Sequence, residues 1–235
     1  MSGRAISVCV IVPAFNEAGT VADVVRGARA CEHVDDVVVV DDGSSDETVA
    51  RAAQAGAHVL RHEQNRGKGH AVRTGLAFAL DRPFTHVLLM DGDMQHRPAD
   101  VPAMIEAARK PFVKGGGDVD LVVGERVFDK SKMPTSRYYS NVIGSRALSG
   151  FIGSEVRDSQ SGFRLIRCEI LRGMPLSSTG YEIETEMLIK LARRRAKMTS
   201  VPVQLSYGAK SKLRPIRDTT RTCFLAVYYR FLSRD

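Results

Sequence analysis

Three stretches of the sequence are apolar almost throughout and stop abruptly at polar residues: ISVCVIVPAF at 6–15, DDVVVVDD at 35–42 and THVLLMD at 85–91. A strand with one face in water alternates apolar and polar residues, whereas a strand covered on both faces need not. Each run is followed by a helical pattern. AGTVADVVRGARAC places Val21, Val24, Val25 and Ala28 at helical spacing. DDGSSDETVARAAQAG turns into a helix that Ser45 or Asp46 is expected to cap. AHVLRHE reads as a short strand, NRGKGHAVRTGLAFAL as a glycine-rich turn entering a helix, and RPADVPAMIEAARK as another helix. Such alternation builds an α/β layered fold around a mostly parallel sheet.

Beyond the loop PFVKGGGD the pattern loosens. VDLVVGER reads as a strand, SRYYSNVIGSRALSGFIG as a helix, and RDSQSGFRLIRCEIL as irregular and then strand-like. YEIETEMLIKLARRR is a helix with Ile183, Met187 and Leu191 on one face. KMTSVPVQLSY is an edge strand, marked by Pro202, and the final RPIRDTTRTCFLAVYYRFLSRD a basic, aromatic helix. At 235 residues the chain reads as one domain, a nucleotide-binding half over 1–115 continuous with an acceptor-binding half over 116–235.

The net charge of +7 points to an anionic partner: nucleotide phosphates, nucleic acid or an anionic membrane. Nucleic acid is disfavoured, because neither a helix-turn-helix signal nor an RNA-reading aromatic pattern is present. The four cysteines are scattered with no CxxC pair, so neither a disulfide framework nor a zinc site is expected. No secretory signal and no apolar run of about 18 residues occurs. The expected location is the cytoplasm, at most with the final helix lying on a membrane face.

In parallel α/β sheets ligands bind beyond the carboxyl ends of the strands. Four polar clusters fall at such ends: PAFNE (13–17), DDGSSD (41–46), NRGKGH (65–70) and DGDMQH (91–96). On an extended segment Asp91 and Asp93 point the same way. Two like charges there either hold a divalent cation, with Gln95 adding an oxygen, or belong to a surface Asp-Gly turn. Asp41 and Asp42 are not needed for capping, which favours binding. Gly67, Lys68 and Gly69 at a helix entrance make an anion site, though the spacing is neither a Walker loop nor GxGxxG. Asp158, between Arg157 and Arg164, is a base, a support for a metal site, or one half of a structural ion pair. Lys210, Lys212, Arg214 and Arg217 group as a cluster suited to phosphate. No histidine has metal-ligand spacing, and His96, near the site, reads as a residue supporting it from behind or as a surface residue.

VIVPAFNEAGTV, VVVVDDGSSDET, NRGKGHAVRTGL, LLMDGDMQHRPAD, DSQSGFRLI and GYEIETEMLIKLARR occur in that order over nearly the whole chain. Together they resemble the family-2 inverting glycosyltransferases, and within these the dolichol-phosphate mannose synthases and polyprenyl-phosphate glycosyltransferases. The resemblance implies a single-domain GT-A fold, a mixed, mostly parallel sheet flanked by helices. It implies a hexose transfer from GDP-mannose or UDP-glucose to polyprenyl or dolichyl phosphate. Asp91 and Asp93, with Gln95, would hold Mg²⁺ or Mn²⁺. Pro13, Ala14, Glu17, Asp42 and Gly67–Lys68–Gly69 would hold the nucleotide, joined by Asp41. Arg126 and Arg137 would contact phosphate near the acceptor, with Arg164, Ser211 and Lys212 beside them, and Asp158 would lie near the reaction centre. The approach to Ser211–Lys212, YGAKSKLRPIRD, departs from the RxxGxSK-like stretch of many mannose synthases. A soluble acceptor, a non-catalytic nucleotide-sugar binder and a nucleic-acid module are the competing readings.

Overall fold

The computed structural model describes residues 5–113, 115–127, 142, 144–146, 148–150, 152–153 and 156–205. Among these, seven strands form one sheet: β1 (Val8–Ala14), β2 (Val34–Asp41), β3 (His58–Arg61), β4 (His86–Leu89), β5 (Leu121–Val127), β6 (Arg164–Arg167) and β7 (Met198–Gln204). Their order is β3-β2-β1-β4-β6-β5-β7. Every neighbouring pair is parallel except those made by β6, which runs antiparallel to β4 and β5. The consequence is directional. β1, β2, β3, β4 and β5 all end at one rim, and β6 begins there.

The helices are α1 (Val21–Arg29), α2 (Thr48–Gln54), α3 (Lys68–Leu80), α4 (Val101–Arg109), α5 (Cys168–Leu171) and α6 (Ile183–Arg193), with a 3₁₀ turn at Pro98–Asp100 before α4. The described residues within 142–152 are also helical. Two cores explain why the strands are apolar throughout. On one face Cys9, Ile11, Val38, Val40, Val87 and Leu89 pack with α3 and α6. On the other Val8, Val10, Val12, Val37, Val39 and Leu88 pack with α1 and α4. Burying one such side chain fully is worth about 1.5–3 kcal/mol, so a polar residue on either face would be selected against by the fold itself. Gly75 lets α3 press against β1, because a Cβ there would overlap Ile11.

The expected fold class is the one observed, and Pro202 does lie in an edge strand, β7. Two local expectations change. CEIL is not strand but the short helix α5. The ladder with β4 ends at His86 opposite Arg167, so the chain has no further strand to pair with, and the Cys168 N–H bonds Thr85 O at 2.8 Å as it turns away. Ser45 does not cap α2: its N–H is given to Asn16 Oδ1 at 2.9 Å, while Asp46 accepts from Thr48 N at 3.0 Å. The expected final helix lies outside the described residues. No helix among the described residues is long and apolar enough to cross a membrane.

Candidate active site

The rim is tied together before it presents any chemistry. After β1 the chain bends through Asn16, whose φ of 51° is a left-handed conformation that asparagine tolerates. Asn16 N donates to Ser44 Oγ at 2.8 Å and Glu17 N to Thr48 Oγ1 at 2.8 Å, joining the loops after β1 and β2. Ala14 is buried and Pro13 and Glu17 are half-buried. Thr20 Oγ1 donates to Gly92 O at 2.6 Å, which fixes the Asp91–Asp93 turn beside Glu17.

Asp41 and Asp42 lie at this rim but turn inward. Asp41 is wholly buried, accepts from Ser44 N and sits 3.4 Å from Arg61 Nε. Asp42 accepts from Arg66 N at 3.0 Å and Gly67 N at 2.7 Å, and its Oδ1 is 2.7 Å from His62 Nδ1. Its carboxylate is the peg that shapes the glycine-rich turn. Gly67 has φ 95°, and a Cβ on it would overlap Thr179 O, while one on Gly69 would overlap Ser178 O. Only glycines let the 178–180 loop dock there.

That docking delivers Lys68 to two carboxylates. Lys68 Nζ is 2.6 Å from Asp91 Oδ1 and 2.6 Å from Glu184 Oε1, with the Tyr181 ring centroid 5.2 Å away. Burial opposes the ammonium charge, yet the two carboxylates hold the Lys68 pKa above its ordinary value. Burial likewise works against the Asp91 charge, and Lys68 overcomes it, holding that carboxyl below its usual value. Gly162 leaves room for the pair, since a Cβ there would lie 2.6 Å from Asp91 Oδ2 and 3.1 Å from Lys68 Nζ.

Among the described residues Asp93 forms no ion pair. Burial first and the charge of Asp91 second push its carboxyl up to about 6. Its Oδ1 accepts from Gln95 N at 3.0 Å across Met94, which is held at φ 60°. Strained backbone of this kind persists only where the surroundings enforce it. Asp91, Asp93 and Glu184 set three carboxylates against the one ammonium of Lys68, a surplus of two negative charges. Among the described residues no group of three or more His, Cys, Asp and Glu side chains is arranged to enclose a metal ion. Asp91 and Asp93 are oxygen donors of the kind a hard divalent cation takes together with the oxygens of a bound diphosphate.

Arg126, near the end of β5, lies at the same rim. Its Nε and Nη2 donate to Asp158 Oδ2 and Oδ1 at 2.6 and 2.8 Å. Of the readings open for Asp158, the ion pair is what the side chains form, and the partner is Arg126 rather than the adjacent arginines. The Asp158 side chain is wholly buried, whereas Arg126 keeps 13% of its side chain exposed. Burial works against the guanidinium, but Asp158 raises its pKa, and its charge bears on Asp91.

Arg164 requires a correction. It was expected at the acceptor phosphate, but it is fully buried and donates to the carbonyls of Ser161, Ser159 and Glu184 at 2.8, 2.9 and 2.5 Å. It ties the 159–161 segment that precedes β6 to the first turn of α6, and burial lowers its pKa to about 10. Of the two readings of His96, the one behind the site holds and the surface one does not. His96 is 2% exposed, stacks on Phe163 with ring centroids 5.2 Å apart, and burial drives its pKa down to about 4. Arg137, Ser211 and Lys212 lie outside the described residues. Glu184 and Tyr181 were missed in the sequence because YEIETEMLIKLARRR was read only for the apolar face of its helix.

The glycosyl transferase family 2 model matches residues 9–174. Glycosyltransferase AglJ of Haloferax volcanii is 36% identical over 229 residues, covering 95% of this chain and 72% of the relative. An undecaprenyl-phosphate mannosyltransferase of Micrococcus luteus is 31% identical over 207 residues, covering 83% of this chain and 82% of the relative. Glucosyl-3-phosphoglycerate synthase of Mycobacterium tuberculosis, solved with Mn²⁺, UDP and glucosyl-3-phosphoglycerate, superposes with a TM-score of 0.71 at 22% identity, over 96% of this chain and 80% of that one. The likeness to that structure is one of fold, the GT-A arrangement of a mixed sheet flanked by helices.

Proposed function

The chain belongs to glycosyl transferase family 2, and from that membership we propose that it transfers a hexose from a nucleotide-diphosphate sugar to a polyprenyl phosphate. The observation that carries the reading is the rim itself, where Asp91 and Asp93 follow one strand and Arg126, braced by Asp158, lies near the end of another with its charge bearing on Asp91. Asp91, Asp93 and Gln95 would hold Mg²⁺ or Mn²⁺ there. Such an ion supplies Lewis-acid neutralisation of the leaving diphosphate.

The protein's own groups divide the remaining work. Pro13, Ala14 and Glu17 border the nucleotide, with Asp41 and Asp42 acting by shaping the loops around it. A phosphate acceptor is already anionic near neutral pH, so it needs a positioned cation more than a base. Arg126 is that cation, and Asp158 fixes its orientation by a two-pronged bond, which lowers the ordering cost of binding. Reaction is then in-line displacement at C1 with inversion, driven by positioning and electrostatics. The lipid acceptor is supported by the name of the Micrococcus luteus relative.

The test is incubation with radiolabelled GDP-mannose or UDP-glucose, polyprenyl phosphate and Mg²⁺ or Mn²⁺. Label should enter the organic phase, and Asp91→Asn should lower the rate roughly 100-fold or more, the scale on which one lost electrostatic partner acts. Label appearing only on water-soluble phosphorylated acceptors would refute the lipid reading while leaving the transferase reading in place.

A further inference from the structure

Lys68 holds two carboxylates at once, and only one of them belongs to the candidate metal pair. The three groups come from separate elements: Lys68 opens α3, Asp91 follows β4, and Glu184 lies in the first turn of α6. Nζ is 2.6 Å from each carboxylate, and the Lys68 side chain is 14% exposed. Glu184 is buried, and its second oxygen, Oε2, has no hydrogen-bond partner among the described residues. A buried acceptor left unpaired costs stability, so Glu184 carries bonding capacity that the resting geometry does not use. The turn that bears it is fixed, because Arg164 Nη1 donates to the Glu184 carbonyl at 2.5 Å.

We propose that Lys68 is a movable counter-ion, shared between Asp91 and Glu184, which competes with a divalent cation for Asp91. The inference rests on the reading of Asp91 and Asp93 as the metal pair. An ammonium and a divalent cation repel, and both cannot use Asp91 Oδ1. The lysine stem is flexible and its three donors rotate freely. When the cation takes Asp91, Lys68 moves wholly onto Glu184, whose unused oxygen accepts it. Glu184 is thus a positioning residue that acts on the metal site through Lys68. By linkage, whatever strengthens the Lys68–Asp91 pair weakens cation binding by the same factor.

The exchange predicts effects of opposite sign, which a merely structural role would not produce. Mn²⁺ is titrated into the whole chain, with UDP, with GDP and without nucleotide, and free Mn²⁺ is followed by its paramagnetic resonance signal. Lys68→Met removes the competitor and should tighten Mn²⁺ binding about tenfold, a usual size for coupling between two binding events. Glu184→Gln leaves Lys68 to Asp91 alone and should weaken it by about the same factor. In the double variant the Glu184 change should have no further effect. Unchanged or weaker binding in Lys68→Met overturns the exchange, as does an equal effect of Glu184→Gln with and without Lys68. If Lys68→Met does not fold, Glu184→Gln decides alone, and unchanged or tighter Mn²⁺ binding in it overturns the exchange. Asp91→Asn separates the two levels. If it binds Mn²⁺ as the wild type does under all three conditions, the metal reading itself fails and the exchange falls with it.

Discussion

Gly162 sits where a methyl group would meet the Asp91–Lys68 pair. A Cβ would lie 2.6 Å from Asp91 Oδ2, and the glycine is not among the residues with positive φ, so alanine is acceptable to the backbone. The strain of Gly162→Ala therefore falls on the carboxylate, which must move from 2.6 Å to beyond 3.0 Å from the new methyl group or rotate away. Misplacement on that scale should lower transfer activity about 10- to 100-fold with little change in melting temperature. Steady-state kinetics beside a thermal melt would decide it; full activity would mean that the position of Asp91 does not matter to the reaction. At this scale the sequence shows residue types but not their partners. Asp91, Asp93 and Lys68 stand out as charges at strand and helix ends. That Lys68 meets Glu184 does not, because the two are brought together only by α3 and α6 lying on one face of the sheet. Arg164 fails for the same reason, since nothing local distinguishes an arginine facing solvent from one enclosed by three carbonyls.

The first turn of α6 buries two carboxylates, Glu184 and Glu186, with different tasks. Glu186 accepts from Ser177 N, Ser177 Oγ and Ser178 N and pairs with Lys190 at 2.9 Å, so it anchors the loop that docks on the Gly67–Gly69 turn. Burial alone would raise its pKa, but the bonds from Ser178 and Lys190 bring it down to about 2. A carboxyl depressed in the folded state stabilises above its unfolded pKa of 4.5, and that contribution is lost as the pH falls from 4.5 towards 2. Glu186→Gln should thus destabilise the fold by roughly 2–3 kcal/mol at pH 7 and much less near pH 2.5, measured by urea unfolding at both values. A gap that stays constant with pH would show that the charge is not what holds the loop. The helix itself was legible from its period. Its neighbour α5 was not, because whether CEIL continues a strand depends on where the partner strand β4 begins.

Across the whole molecule, the gathering of four polar clusters at one rim was readable, because successive strands of a βαβ pattern run the same way. The reversal of β6 was not readable, and it is what carries the Asp158 segment to that rim and the Asp158–Arg126 pair into the site. The fold buries ionisable groups at both ends of the sheet, and two histidines make the cost measurable. His86 and His96 are both held neutral by burial, with pKa values brought from 6.5 to about 4. Between those values the unfolded chain takes up two protons that the folded chain refuses. Folding stability therefore falls as the pH drops from 6.5 to 4, by up to roughly 3 kcal/mol for each histidine. Asp93 acts in the opposite sense, since a carboxyl raised to about 6 binds its proton more readily when folded, but one group does not offset two. Denaturant melts between pH 7 and 4 should show the decline beginning near 6.5, above the window in which Glu186 contributes. His86→Gln should remove most of the net slope between 6 and 4, where His96 is then offset by Asp93, while leaving the loss below pH 4.5 due to Glu186 in place. Stability that is flat from pH 7 to 5 would contradict the enclosure of both rings, and with it the close packing of His96 on Phe163 beneath the Asp91–Asp93 turn.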